Sequence, residues 1–249
     1  LGEMEFGPTG AAAFAGVAAR YNQFFDAHLK GATQDIPAVS YFLMGANEWR
    51  TSEEWPPSEG QQHSLYLHSG GNANSARGDG ALHETSALGS EPADRYLYDP
   101  DRPVPTEGGA TLQAQVGLPG PRNQQTIESR DDVLCYITPP LDEALTVAGP
   151  VSVSLWTTTD AVDTDFTAKL VDVQPDGKAV SLCDGIIRAR YRESLSEPRA
   201  VLPDEPTRYT IELANIAHRF AVGHRLRLEV SSSNFPRFAP NPNTGGPLA

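Results

Sequence analysis

No stretch of this 249-residue chain approaches the run of about 18 apolar residues that a membrane-spanning helix needs. Nor does it open with a basic segment followed by an apolar one, but the chain does not begin like a natural N-terminus, so that absence decides nothing and the compartment is left open, with a cytoplasmic setting favoured. Basic residues are few: Lys and Arg total 19 against 32 Asp and Glu, a formal charge of −13. A surface this acidic repels phosphate backbones and anionic lipid, which argues against nucleic-acid and membrane partners. Cysteine is scarce as well. Cys135 and Cys183 each sit in an apolar, strand-like run with nothing beside them to lower a thiol pKa, so both read as small, reduced, buried hydrophobes. Internal repeats and low-complexity tracts are absent too.

What is present is a soluble globular composition, 39% hydrophobic and 20% charged, long enough to bury a sizeable core. Near the start, Phe14, Val17, Tyr21, Phe24, Phe25 and Leu29 fall at helical spacing, with Arg20, Gln23, Asp26 and Lys30 on the other face. Pro8 suits a first turn and Gly31 a C-terminal stop. This predicts one amphipathic helix, an odd start for a domain, because its apolar stripe must cover something.

Beyond it the period changes to two. Strands are expected at Ala38–Met44, Ser64–His68, Tyr96–Tyr98, Val133–Thr138, Val151–Leu155, Tyr209–Leu213 and Leu226–Val230. Turn signals such as Gly108-Gly109 and Pro175-Asp176-Gly177 separate the extended runs. Many short strands with 21 prolines and 22 glycines predict a mainly β fold, an antiparallel jelly-roll β-sandwich. Arg188, Arg190 and Arg192 alternate with Ile187, Ala189 and Tyr191, a cationic strand face expected to pair with carboxylates.

Catalytic signals are missing. The strand-to-helix elbow Gly-x-Ser-x-Gly does not occur, and Ser69-Gly70-Gly71-Asn72-Ala73-Asn74-Ser75 reads as a polar loop. The six histidines have no supporting motif. Asp160, Asp163 and Asp165 lie close together but lack a glycine-bearing calcium-loop pattern, so no metal site is assigned. Among the tryptophans, Trp156 ends an alternating strand and is expected in the core, while Trp49 and Trp55 look like a crossing between domains. If exposed, these rings would suit a stand-alone carbohydrate-binding or adhesion module, the alternative reading.

Several segments together carry a resemblance. They include Phe6-Gly7-Pro8, Phe25-Asp26-Ala27-His28-Leu29-Lys30-Gly31, Phe42-Leu43-Met44-Gly45-Ala46-Asn47-Glu48-Trp49-Arg50 and Tyr96-Leu97-Tyr98-Asp99-Pro100. Further along come Arg130-Asp131-Asp132-Val133-Leu134-Cys135-Tyr136, Asp163–Val173, Asp184–Arg192 and Ser231-Ser232-Ser233-Asn234-Phe235-Pro236. In order across nearly the whole chain, they resemble the cocaine-esterase/X-prolyl dipeptidyl-peptidase family of serine hydrolases.

The resemblance implies a C-terminal jelly roll, galactose-binding-domain-like, preceded by a helical remnant of an α/β-hydrolase domain. Residues 1–36 would be that remnant and 37–249 the sandwich, both ends looking cut. The family's Ser-His-Asp triad would lie upstream of Leu1, so no catalytic residue is expected here and the fragment alone should be inactive. The parent would be a carboxylic ester hydrolase or dipeptidyl-peptidase-like enzyme with no cofactor. Implied partners are the α/β-hydrolase domain of the same polypeptide and a small acyl substrate, with a homodimer left open. Leu112 and Gln113, following Gly108-Gly109, would line the acyl pocket. Gln113 departs from the aromatic side chain expected there, which puts an aromatic acyl group in doubt.

Overall fold

The computed structural model describes residues 2–11, 16–33, 36–111 and 117–246. Among these, a single α-helix, α1 (Val17–Lys30), precedes ten strands. They are β1 (Val39–Leu43), β2 (Glu48–Ser52), β3 (Tyr66–His68), β4 (Ala81–His83), β5 (Leu134–Ile137), β6 (Leu145–Thr157), β7 (Asp165–Val173), β8 (Ala179–Arg188), β9 (Thr207–Phe220) and β10 (Arg225–Ser231).

β1 and β2 form an antiparallel hairpin, and β6 pairs with β9 in a long antiparallel ribbon. The other six form one sheet in the order β3-β4-β5-β10-β7-β8. Because β6 and β9 leave that sheet and return, the chain builds two layers. The inward positions follow the period of two. Phe166, Ala168 and Leu170 of β7 and Leu226, Leu228 and Val230 of β10 share one cluster with Val153 and Leu155 of β6 and Tyr209, Ile211 and Leu213 of β9. Each large side chain removed from water there contributes roughly 1.5–3 kcal/mol. The chain is thus a mainly β sandwich, as its alternation predicts.

The sheet's other face is also covered. Thr167, Lys169, Arg227 and Glu229 are all buried on it, beside a second apolar cluster of Val104, Ile127, Val133 and Cys135. Both cysteines are free and buried. Burial pushes the Cys183 thiol up to about 12 and that of Cys135 higher still.

Four expectations need correction. Trp156 is 72% exposed, because it continues the outward register of Ser152 and Ser154 while Val153 and Leu155 point in. Tyr96–Tyr98 joins no ladder. These tyrosines act as side-chain anchors, Tyr96 Oη lying 2.7 Å from Ser232 Oγ and Tyr98 donating to the Asn241 carbonyl at 3.0 Å. β8 stops at Arg188, and Ala189–Tyr191 is a 3-10 turn, so the arginines form no continuous strand face. They do pair with carboxylates, Arg188 with Asp165 and Arg190 with Asp163. Finally, Pro8 starts a separate 3-10 turn (Pro8–Gly10) rather than α1.

Candidate functional site

α1 is closed where the sequence predicts. Gly31 adopts φ 66°, its N–H and that of Ala32 both reach the Asp26 carbonyl, and Lys30 pairs with Asp26 at 2.6 Å. Its apolar stripe is unsatisfied. No described residue of α1 is buried, and Tyr21, Phe24, Phe25 and Leu29 are all at least 48% exposed. Between this stripe and β1–β2 runs an open groove of about 590 Å3, lined by Tyr21, Phe24, Ile36, Pro37 and Trp49. The Arg20 guanidinium lies over the Trp49 ring, 5.3 Å from its centroid. Contiguous exposed apolar surface of this kind marks a contact face.

The second feature is the stem that follows Val104. Gly108 and Gly109 have φ of 79° and 87°, a region that strains L side chains. A Cβ on Gly108 would collide with the Gly120 carbonyl, so the close approach itself requires glycine. Gly109 and Gly120 exchange both backbone hydrogen bonds at 3.0 Å, closing the stem. Gln124, wholly buried, donates to the Glu107 carbonyl at 3.0 Å and accepts from Lys169 Nζ at 3.1 Å. Asp184 accepts from Asn234 at 2.8 Å and pairs with Arg237 beneath Gly109. Glu3 reaches the far side of the stem, its N–H donating to the Pro121 carbonyl at 2.7 Å and its carboxylate 3.3 Å from Arg122. Leu112 and Gln113 lie outside the described residues.

Sequence reasoning did not pick out Lys169, Gln124 or Asp184 as the floor of this stem. In β7, Lys169 points opposite to Leu170, a polar position of the kind that ordinarily faces solvent. Only the tertiary fold brings Val104, Glu107, Gln124, Ile127, Glu128 and Val133 over it.

The remaining candidates are engaged structurally. Ser69 Oγ sits 2.8 Å from Asp79 and 2.6 Å from Asp94, and accepts the Gly71 N–H, a knot that holds its loop. His218 Nε2 and His224 Nδ1 lie 3.0 and 2.7 Å from the two oxygens of Asp172. His68 is held by Glu91 and the Thr85 carbonyl. None of these three rings meets a hydroxyl or thiol nucleophile of the kind acyl transfer needs. Asp163 and Asp165 spend their oxygens on Arg190, Arg188 and Asn241. Among the described residues, no cluster of three or more His, Cys, Asp or Glu is placed to hold a metal ion.

Residues 30–247 match the X-Pro dipeptidyl-peptidase C-terminal non-catalytic domain. Over 232 residues the chain is 47% identical to the cocaine esterase of Rhodococcus sp. (strain MB1 Bresler), covering 92% of this chain and 40% of that protein. Two solved structures share the fold. An aminopeptidase from a marine sediment Thaumarchaeota archaeon superposes with a TM-score of 0.82 and 32% identity, covering 97% of this chain and 41% of its own. An α-amino acid ester hydrolase does so with a TM-score of 0.78 and 30% identity, covering 91% and 39%. The chain therefore spans about two-fifths of the length of these relatives (40%, 41% and 39%). By its sequence match and by this fold, the chain belongs to the X-Pro dipeptidyl-peptidase C-terminal non-catalytic domain family.

Proposed function

We propose that this chain is the supporting C-terminal domain of a serine acyl hydrolase, an esterase or X-prolyl peptidase-like enzyme, whose Ser-His-Asp machinery lies in an α/β-hydrolase domain of the same polypeptide. The observation that carries the reading is α1. The family match begins at Lys30, the last residue of the helix, and the helix in front of that boundary buries none of its described residues. A helix with an apolar stripe and no partner belongs to a layer supplied from elsewhere. On this reading residues 1–36 close the hydrolase domain and the sandwich begins at 37.

In such an enzyme a serine activated by histidine attacks the acyl carbon, and backbone donors stabilise the oxyanion. The sandwich would contribute walls, not chemistry. Leu112 and Gln113, which follow Gly109 in the sequence, would line the acyl pocket, the amide of Gln113 making it more polar than an aromatic would.

The test is amide exchange in the longer polypeptide. The α1 amides, together with those of β1 and β2, should be strongly protected there and become labile when the hydrolase domain is removed. Equal exchange in both forms would sink the assignment. A glycan-binding module is less well supported. Such a platform needs several exposed rings, yet Trp49 is capped by Arg20, and Trp55 donates to Asn215 and packs on Tyr41. That leaves Trp156 as the one widely exposed ring of the three.

A further inference from the structure

The edge of the six-stranded sheet carries a group that none of this uses. His68 ends β3 with both ring nitrogens engaged: Nδ1 is 2.7 Å from Glu91 Oε1 and Nε2 is 2.8 Å from the Thr85 carbonyl. Both partners are acceptors, whereas a neutral imidazole has one N–H to give. The arrangement therefore needs one proton more than a neutral ring beside a carboxylate. The Ser69 N–H donates to the other Glu91 oxygen at 3.2 Å, which favours an ionised carboxylate and puts the extra proton on the ring. Between the two contacts runs an exposed strap: residues 83–93 are all exposed, with Leu88 projecting fully into solvent.

We propose that His68 is a proton-operated clasp that fastens both limbs of this strap to the sheet edge and releases the Thr85 limb when it loses its second proton. A neutral ring keeps its N–H on the stronger acceptor, Glu91, and turns a lone pair toward the Thr85 carbonyl. Attraction there becomes repulsion.

The charges around the ring bear on where this happens. The bond to Glu91, and next the Thr85 carbonyl, raise the His68 pKa above its usual 6.5, while Glu91 is lowered chiefly by His68. His83 of β4 meets the ring edge-on, centroids 4.9 Å apart, and would oppose the proton if itself charged. Asp79 and Asp94 are both gathered on Ser69 Oγ, the next residue along the chain. At the strap's start Glu84 lies 3.6 Å from His63. A folded-state pKa above the unfolded one means the clasp is complete below about pH 6.5 and is lost as pH rises through the raised value.

The experiment uses the intact polypeptide, following His68 by its imidazole carbon signals and the strap by the carbonyl carbon signal of Thr85 from pH 5.5 to 9. Expected are a His68 midpoint above 6.5, a Thr85 carbonyl shift that titrates with the same midpoint, a lower midpoint in Glu91→Gln, and a Thr85 signal independent of pH in His68→Gln. The β7 amides serve as the folding control and should keep their protection in both variants. A His68 midpoint at or below 6.5, or a Thr85 carbonyl titration that persists unchanged in His68→Gln, overturns the clasp.

Discussion

Lys169 and Glu229 face each other across the β7–β10 ladder, Nζ 3.6 Å from a carboxylate oxygen, with both side chains at most 5% exposed. Neighbouring them, Arg227 pairs with the buried Glu128 at 2.6 Å. The sheet therefore carries an ionic layer on one face and an apolar one on the other. Burial outweighs the attraction of Lys169 and lifts the Glu229 carboxyl to about 7, against 4.5 for an unhindered glutamate. The folded state thus holds a proton that the unfolded state has released. Stability from this group is full below about pH 4.5 and is lost as pH rises through about 7. Denaturant unfolding from pH 4.5 to 8 should show that decline in the parent and a flatter profile in Glu229→Gln. An unchanged slope would remove Glu229 as its source.

Asp172 is a second buried charge, and it links elements. Its carboxylate, in β7, meets His218 of β9 and His224 of the turn before β10, and His218 is wholly buried. Asp172→Ala leaves a buried imidazole without its partner, at roughly 1–3 kcal/mol for each polar group stranded. His224→Ala removes only the more exposed arm and should cost less than half as much. Urea midpoints at pH 7 decide it; equal losses would mean the three residues fail as a unit.

The alternation that predicted β6 and β9 succeeded because those strands bury one face only, so polarity and burial change in step; in β10 it picked out Leu226, Leu228 and Val230 although Arg227 and Glu229 between them are buried too. It failed at Trp156, which ends the alternating run and is expected in the core, whereas the register of Ser152 and Ser154 places it outside. It was silent on Lys169 and Glu229, since a polar position in an alternating strand normally reads as solvated. Residues distant in sequence, among them Val104, Gln124, Ile127 and Glu128, bury that face, and nothing local announces the cover. The Gly108-Gly109 turn was legible as a turn. That it closes on Gly120 depends on a close backbone approach, which sequence period does not encode.

The thiols offer a readout of the whole sandwich. Cys135 and Cys183 lie in β5 and β8, 4% and 7% exposed, and burial suppresses thiolate at neutral pH. A thiol reagent at pH 7.5 should modify neither in the native protein over minutes and both at once in denaturant. Rapid stoichiometric labelling of either without denaturant would contradict the packing.

The stem closed by Gly109 and Gly120 brackets Leu112 and Gln113 in the sequence. Its base is fixed from three directions: the paired Gly109 and Gly120, Gln124 on Lys169, and Arg237 on Asp184. A fixed base is what a specificity element requires of its support. If Gln113 faces the acyl group, Gln113→Phe in the full-length enzyme should raise kcat/KM for aromatic acyl esters relative to short aliphatic ones. A hydrophobic contact of this size is worth roughly 1–3 kcal/mol, or about 10- to 200-fold in the ratio. Arg237→Met, which loosens the stem without touching substrate, should lower kcat/KM for both classes while leaving their ratio nearly unchanged. The pair of variants separates lining from support. A ratio that stays within twofold in a folded Gln113→Phe enzyme assigns residues 112 and 113 to the surface, and then Arg237→Met should be silent as well.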